Sequence, residues 1–237
     1  MIKMTFKGRW DIFYVTHLMF FLIVNQITRP FQNKSVQRFD ITGGGGTKPE
    51  TVDLGLGSKH KPDGAFLDPT GDHLVISLRP NNDPEAFPDF VYLNRRSIKP
   101  KMSSKGKNHL VSAMAWDTPD HITSDSTGVA LIGTALGLVF ETELVDPGQD
   151  KAFINMPFKS SNLEKRWQQV LDLRGKDKKQ SPVTGIQFYR ASSTGRTFVL
   201  ATTPTRLYRF SGNASGAAEL GGEFSILNVI GAQSENR

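Results

Sequence analysis

The chain contains no cysteine among its 237 residues, which removes disulfides, thiolate nucleophiles and thiolate-bound zinc together. Its five histidines, His17, His60, His73, His109 and His121, are scattered. They form no His-Glu-x-x-His and no i, i+4 histidine pair, so no metal site is written into the sequence. The Gly-x-Ser-x-Gly of a nucleophile elbow is missing as well. Ser126-Thr127-Gly128 and Ser193-Thr194-Gly195 have the composition of chain-reversing turns instead. The glycine tract Gly43-Gly44-Gly45-Gly46 is followed by Thr47-Lys48-Pro49 and so fails as a phosphate-binding loop. Pro49 would also stand where the helix of such a loop must begin. Asp117, Asp120 and Asp125 share no spacing that would bring two of them into one pocket, and they read as turn formers. No catalytic residue, no cofactor-binding residue, no cofactor and no metal are therefore expected.

Long apolar runs are scarce too. Leu18-Met19-Phe20-Phe21-Leu22-Ile23-Val24, after Lys3, Lys7 and Arg9, has the outline of a targeting segment. It is broken upstream by Thr16 and His17 and ends at Asn25-Gln26, short of the about 20 apolar residues a spanning helix needs. No small-x-small cleavage site follows, and a buried strand is the expected structure. Asn33-Lys34-Ser35 and Asn213-Ala214-Ser215 match the glycosylation pattern, which carries little weight in a chain expected to face the cytosol.

Positive charge is in modest excess, with a formal net charge of +6. It gathers at Arg95, Arg96, Lys99, Lys101, Lys105 and Lys107, and again at Arg174, Lys176, Lys178 and Lys179. Neither cluster carries the interleaved aromatics that stack nucleic-acid bases, so no nucleic acid is expected as a partner. Both lie between strand-like runs and are expected to be solvated loops, with weak contact to an acidic membrane surface as the sharper alternative.

What is present is a repeated grammar. Val111-Ser112-Ala113-Met114-Ala115-Trp116, a loop rich in Asp, Thr and Ser, and then residues 129–140 form one copy. Val183-Thr184-Gly185-Ile186-Gln187-Phe188, a turn at Ser192-Ser193-Thr194-Gly195, and then residues 198–210 form another. Setting Thr134 on Thr203 places Leu138 on Leu207 and Phe140 on Arg209, an offset of 203 − 134 = 69 residues. A third copy runs from Gly64-Ala65-Phe66-Leu67 through the turn Asp68-Pro69-Thr70-Gly71 to residues 73–78 and 89–94. A unit like this cannot bury its sheet faces alone, so repetition implies stacking of neighbours in a β-propeller-like array. Trp116 and Phe188 each close an apolar strand and are expected in the cores of their blades.

The same segments, 65–78, 131–141 and 201–210, resemble in order the amino-terminal domain of the vacuolar protein sorting-associated protein 18, or deep orange, family. The resemblance runs from about Val15 to about Gly222. It implies a propeller that, in that family, precedes a long α-solenoid and a zinc-binding RING. It also implies membership of the core of the endolysosomal tethering complexes HOPS and CORVET. The function this implies is docking and fusion of endosomes, lysosomes or vacuoles through contacts with other tether subunits. The implied location is cytoplasmic, peripheral on late endosome, lysosome or vacuole membranes. It implies neither enzyme activity nor a small-molecule substrate.

The expected organisation is a lead at 1–14 without fixed structure, a partial propeller at 15–222, and a tail at 223–237. Connectors are expected at 42–62 and 80–88. Val15-Thr16-His17-Leu18 is expected to open the first hairpin, with residues 35–40 as its partner. In 161–173, Leu163, Trp167, Val170 and Leu171 fit a helical spacing, while the resemblance favours an outer strand at 167–173. The fold class is all-β, an incomplete propeller of about four blades. Blades take about 40–45 residues each, so a ring of seven would need roughly 300 residues, and the chain is expected to be a fragment. The competing class is a propeller hydrolase with a central-channel site. It would need acids, histidines or a metal at the inner strand starts, where Ala65, Val111 and Val183 stand.

Overall fold

The computed structural model describes residues 19–24, 34–40, 50–83, 85–97, 99–146, 163–174, 179–191, 193–194, 196–212 and 230–231. They form four antiparallel sheets that follow one another along the chain. The first holds β1 (Met19–Val24), β2 (Ser35–Asp40) and β3 (Glu50–Asp53). The second is β4 (His60–Leu67), β5 (His73–Pro80), β6 (Asp89–Asn94) and β7 (Lys101–Met102). The third is β8 (Val111–Trp116), β9 (Ala130–Thr134), β10 (Leu138–Leu144) and β11 (Glu164–Asp172). The fourth is β12 (Gly185–Ala191), β13 (Arg196–Thr203), β14 (Arg206–Gly212) and β15 (Ile230–Gly231). Within each sheet consecutive strands pair, and from the last strand the chain crosses to the first strand of the next sheet. β8 packs against both β4 and β12, so these first strands line the inside of an arc and each sheet is a blade. The four blades do not close into a ring.

Three apolar clusters fill the blade interfaces. Val36, Val52, Leu54 and Leu56 of blade one meet Leu74, Ile76, Leu78, Val91 and Leu93 of blade two. Val75, Phe90 and Tyr92 on the other side of blade two meet Val111, Ile132, Leu144 and Leu163 of blade three. Ala113, Ala115, Leu131 and Val139 then meet Ile186, Phe188, Val199, Ala201, Tyr208 and Phe210 of blade four. A strand between two neighbours is therefore buried on both faces, which is why β6 and β9 are buried at every position. β12 and β13 have one covered face and alternate instead.

The structure moves several expected boundaries. The hairpin partner of β2 is Met19–Val24, and residues 1–18 lie outside the described residues. Part of the expected connector at 42–62 is strand: Glu50–Asp53 pairs with β2 as an outer strand, and β4 begins at His60, while residues 42–49 lie outside the described residues. An exposed four-residue strand with one buried side chain carries too little periodicity to stand out in the sequence. The excursion at 81–88 is present between β5 and β6. Residues 164–172 form β11, so the strand reading holds and the helical spacing there is coincidental. Within the expected tail at 223–237, Ile230–Gly231 pairs with Arg206 and Leu207 as the fourth strand of the last blade. A two-residue strand leaves no sequence signal.

The repeat alignment also needs one correction. Ile132 pairs with Met114 and Phe140, and Ala201 pairs with Ile186 and Tyr208. Phe140 therefore corresponds to Tyr208 and Val139 to Leu207, one residue away from the expected match of Phe140 with Arg209. The cause is the hairpin. Blade three turns through Ala135-Leu136-Gly137, with Gly137 at φ 87°, whereas blade four turns through Pro204-Thr205 alone.

Candidate interaction surfaces

Buried polar side chains tie the blades together. His73 at the start of β5 sends Nε2 to the Thr123 carbonyl in the β8–β9 loop at 2.7 Å, and its Nδ1 lies 2.7 Å from the Tyr92 hydroxyl. A carbonyl only accepts, so Nε2 carries the proton and Nδ1 receives the tyrosine's. Burial pushes the Tyr92 phenol well above its ordinary pKa, which keeps it a donor. Asn94 completes the tie by donating to the Ser124 carbonyl at 2.6 Å. These contacts fasten blade two to the long loop of blade three.

Glu164, the first residue of β11, is buried and reaches back to the β7–β8 crossover. It accepts from Ser103 Oγ at 2.6 Å, Ser104 N at 2.9 Å and Ser104 Oγ at 2.7 Å. Burial alone would raise its pKa, but these donors outweigh it and hold the carboxyl below the usual carboxylate range. Asp146 accepts from Ser97 Oγ at 2.7 Å and from Lys101 Nζ at 2.8 Å. Lys101, counted in the sequence among loop cations, thus lies in β7 and is spent on a blade-to-blade ion pair.

Asp117 is the residue that sequence reasoning undervalued. It follows β8 as a buried carboxylate, bonded to Arg190 of blade four and, at 3.1 Å, to His121 Nδ1. Asp68 follows β4 in the same way and is also buried, accepting from His73 N at 2.7 Å and from Thr70 N at 3.0 Å. The signal was a recurring Asp directly after the inner strand. Asp120 is exposed and Asp125 faces Arg96 at 3.5 Å, so the three loop aspartates do not converge. His17 lies outside the described residues, and His60 meets the Phe87 carbonyl at 3.0 Å. The His109 ring lies tilted against Phe140 with centroids 4.6 Å apart, and burial lowers its pKa. Among the described residues, no group of three or more His, Asp or Glu is placed to hold a metal ion. Ala65, Val111 and Val183 at the inner strands are buried.

Among the described residues, two surfaces are candidates for recognition. The first is the outer face of blade four. Leu200 corresponds to Val75 and Leu131, and Leu207 to Phe90 and Val139. The four earlier residues are 0% exposed, yet Leu200 is 38% and Leu207 37% exposed, with Tyr189 beside them at 58%. The second surface is a recess of ≈ 760 Å³ at the blade three to blade four crossover, lined by Arg174, Lys179, Arg206 and Tyr208 among others.

Meandering antiparallel sheets, three of them four-stranded, stacked face to face around their first strands, define a β-propeller domain. The chain matches the Pep3/Vps18/deep orange beta-propeller domain over residues 23–230, and it belongs to that family. It is 32% identical over 204 residues to a vacuolar protein sorting-associated protein 18 homolog of Danio rerio, covering 86% of this chain and 19% of that protein. A homolog of the same name in Drosophila melanogaster is 33% identical over 161 residues, covering 65% of this chain and 15% of that protein. Vacuolar sorting protein 18 of Arabidopsis thaliana is 30% identical over 166 residues, covering 68% and 15%. The chain thus spans less than a fifth of the length of these relatives. Among the described residues, no helix is long and apolar enough to cross a membrane.

Proposed function

We propose that this propeller is a non-enzymatic docking module of a HOPS or CORVET tethering complex. It would act with other tether subunits in the docking and fusion of endosomes, lysosomes or vacuoles, peripherally on their cytoplasmic side. The family assignment supports the vacuolar sorting part of this reading. The observation that carries the docking part is the division of labour among side chains. The buried acids Asp68, Asp117, Asp146 and Glu164 are bonded to turns and neighbouring blades, while the exposed outer face of blade four includes the apolar Tyr189, Leu200 and Leu207 beside Gln187 and Arg209. An exposed apolar patch on a rigid scaffold recognises protein surface rather than performing chemistry.

The competing reading, a propeller hydrolase, would need acids or histidines at the inner strands, where the buried Ala65, Val111 and Val183 pack into the blade cores. Affinity capture of the protein carrying this domain, followed by mass spectrometry, separates the two. Co-purifying tether subunits are the expected result. Absence of those subunits together with turnover of a small ester or glycoside would overturn the proposal.

A further inference from the structure

The recess between blades three and four carries two cations with no carboxylate partner among the described residues. Part of its rim is residues 173–174 and 179–182, near backbone bonds from Leu173 N to the Gly137 carbonyl at 2.8 Å and from Val183 N to the Thr134 carbonyl at 3.1 Å. Tyr208 donates to the Leu173 carbonyl at 3.3 Å from below, and the β13–β14 turn Pro204-Thr205 forms the facing wall. Arg174 is pinned by Asp172, with Nε at 2.9 Å and Nη2 at 2.8 Å from the carboxylate oxygens. That pair is close to neutral as a unit. Lys179 and Arg206 also line the recess, are exposed, and have no carboxylate partner among the described residues.

The other crossovers, at the same end as the recess, bring Lys59, Lys105 and Lys107 to the surface. At the opposite end Asp72 faces Arg95, Asp117 faces Arg190, Asp125 faces Arg96 and Asp146 faces Lys101, so most of the acids there are matched by cations. Lys179 and Arg206 are the cations that an acidic partner meets in the recess.

We propose that this recess docks a short acidic peptide segment of a partner protein, with Lys179 and Arg206 taking its carboxylates. A volume of ≈ 760 Å³ exceeds what a single phosphate fills and suits a few residues of extended chain. A flat anionic bilayer is the poorer fit, because approach from this end also presses it against Asp83 and Glu85 on the β5–β6 loop of blade two. The inference rests on the docking-module reading and names the chemistry of one partner.

The test is fluorescence anisotropy with a labelled oligoglutamate peptide and the full chain. The expected result is saturable binding that weakens as salt is raised, and a loss of at least about tenfold in affinity in the double variant Lys179→Glu/Arg206→Glu. The milder Lys179→Gln/Arg206→Gln should weaken binding less, and it guards against misfolding of the charge-reversed protein. Arg196→Glu, at the opposite end, should bind as the unchanged chain does. No binding by the unchanged chain, or equal binding by both double variants, overturns the proposal. So does recruitment to phosphatidylcholine vesicles containing phosphatidylserine that is lost in the same variants without any peptide binding. Oligoglutamate binding that survives while affinity capture yields no tether subunits would sink the tether assignment and leave the recess intact.

Discussion

Gly133 and Val183 meet so closely across blades three and four that a Cβ on the glycine would stand 2.6 Å from the valine Cγ1. Val183 is fully buried, so it has nowhere to move. Gly133→Ala is expected to cost about 1–3 kcal/mol through overpacking. Denaturant unfolding checks this, and a double-mutant cycle with Val183→Ala should show a coupling of the opposite sign because the smaller valine replacement makes room. Additive costs would mean the two residues do not press on each other.

Glu164 is expected to be a large contributor among the polar ties. Glu164→Gln replaces an acceptor of several donors with a group that brings two donors of its own, at a cost of about 2–3 kcal/mol. Its carboxyl is depressed in the folded state, so its stabilisation is complete above the unfolded-state pKa and is lost as pH falls through the lower, folded value. Unfolding free energy of the unchanged chain should therefore decline on acidification, and the variant should show a shallower decline.

Asp89 works in the opposite direction. Burial raises it to about 6, against a bond from Phe90 N and the attraction of His60 that lower it. The folded state then binds its proton more tightly than the unfolded chain between about pH 4 and pH 6, so this residue costs stability as pH rises through that window. Asp89→Asn keeps an oxygen for Phe90 N and is expected to stabilise the chain at pH 7 by about 1–2 kcal/mol, with little change near pH 4. Equal effects at the two pH values would show that Asp89 is not perturbed by burial.

Phe188 and Trp116 occupy corresponding positions but are not equally buried. Phe188 sits in the core between blades three and four, whereas Trp116 is half-buried beside the blade two interface. Phe188→Ala should cost about 3–5 kcal/mol and Trp116→Ala distinctly less. Equal losses in chemical denaturation would place Trp116 in the core, as its sequence position alone suggests.

The uncovered face of blade four should drive self-association. Leu200→Lys and Leu207→Lys, singly or together, are expected to shift the chain toward monomer in multi-angle light scattering while leaving its melting temperature nearly unchanged. A sharp monomer peak from the unchanged chain would show that this face is not adhesive.

Three copies of the repeat were readable from Ala65, Trp116, Thr134, Phe188 and Thr203 because apolar strands with turns between them have a period that survives without any tertiary knowledge. The resemblance to the deep orange family was readable from three ordered motifs. β3 and β15 were not, because strands of four and two residues owe their existence to a neighbour's unpaired edge rather than to their own composition. The ties through Asp117, Glu164 and His73 were equally hidden, since their partners Arg190, Ser103 and Thr123 lie far away along the chain. The match of Phe140 with Tyr208 depends on one residue of hairpin length, which alternation along a strand converts into a change of face.

Sequence alone determined the kind of unit and its repetition, because apolar periodicity and turn chemistry are local. Only the tertiary structure decided which polar groups became ties between blades and which of blade four's side chains stayed outside. Both depend on whether a neighbouring sheet lies within contact distance, and Leu200 and Leu131 are the same residue type at the same blade position with opposite fates for that reason.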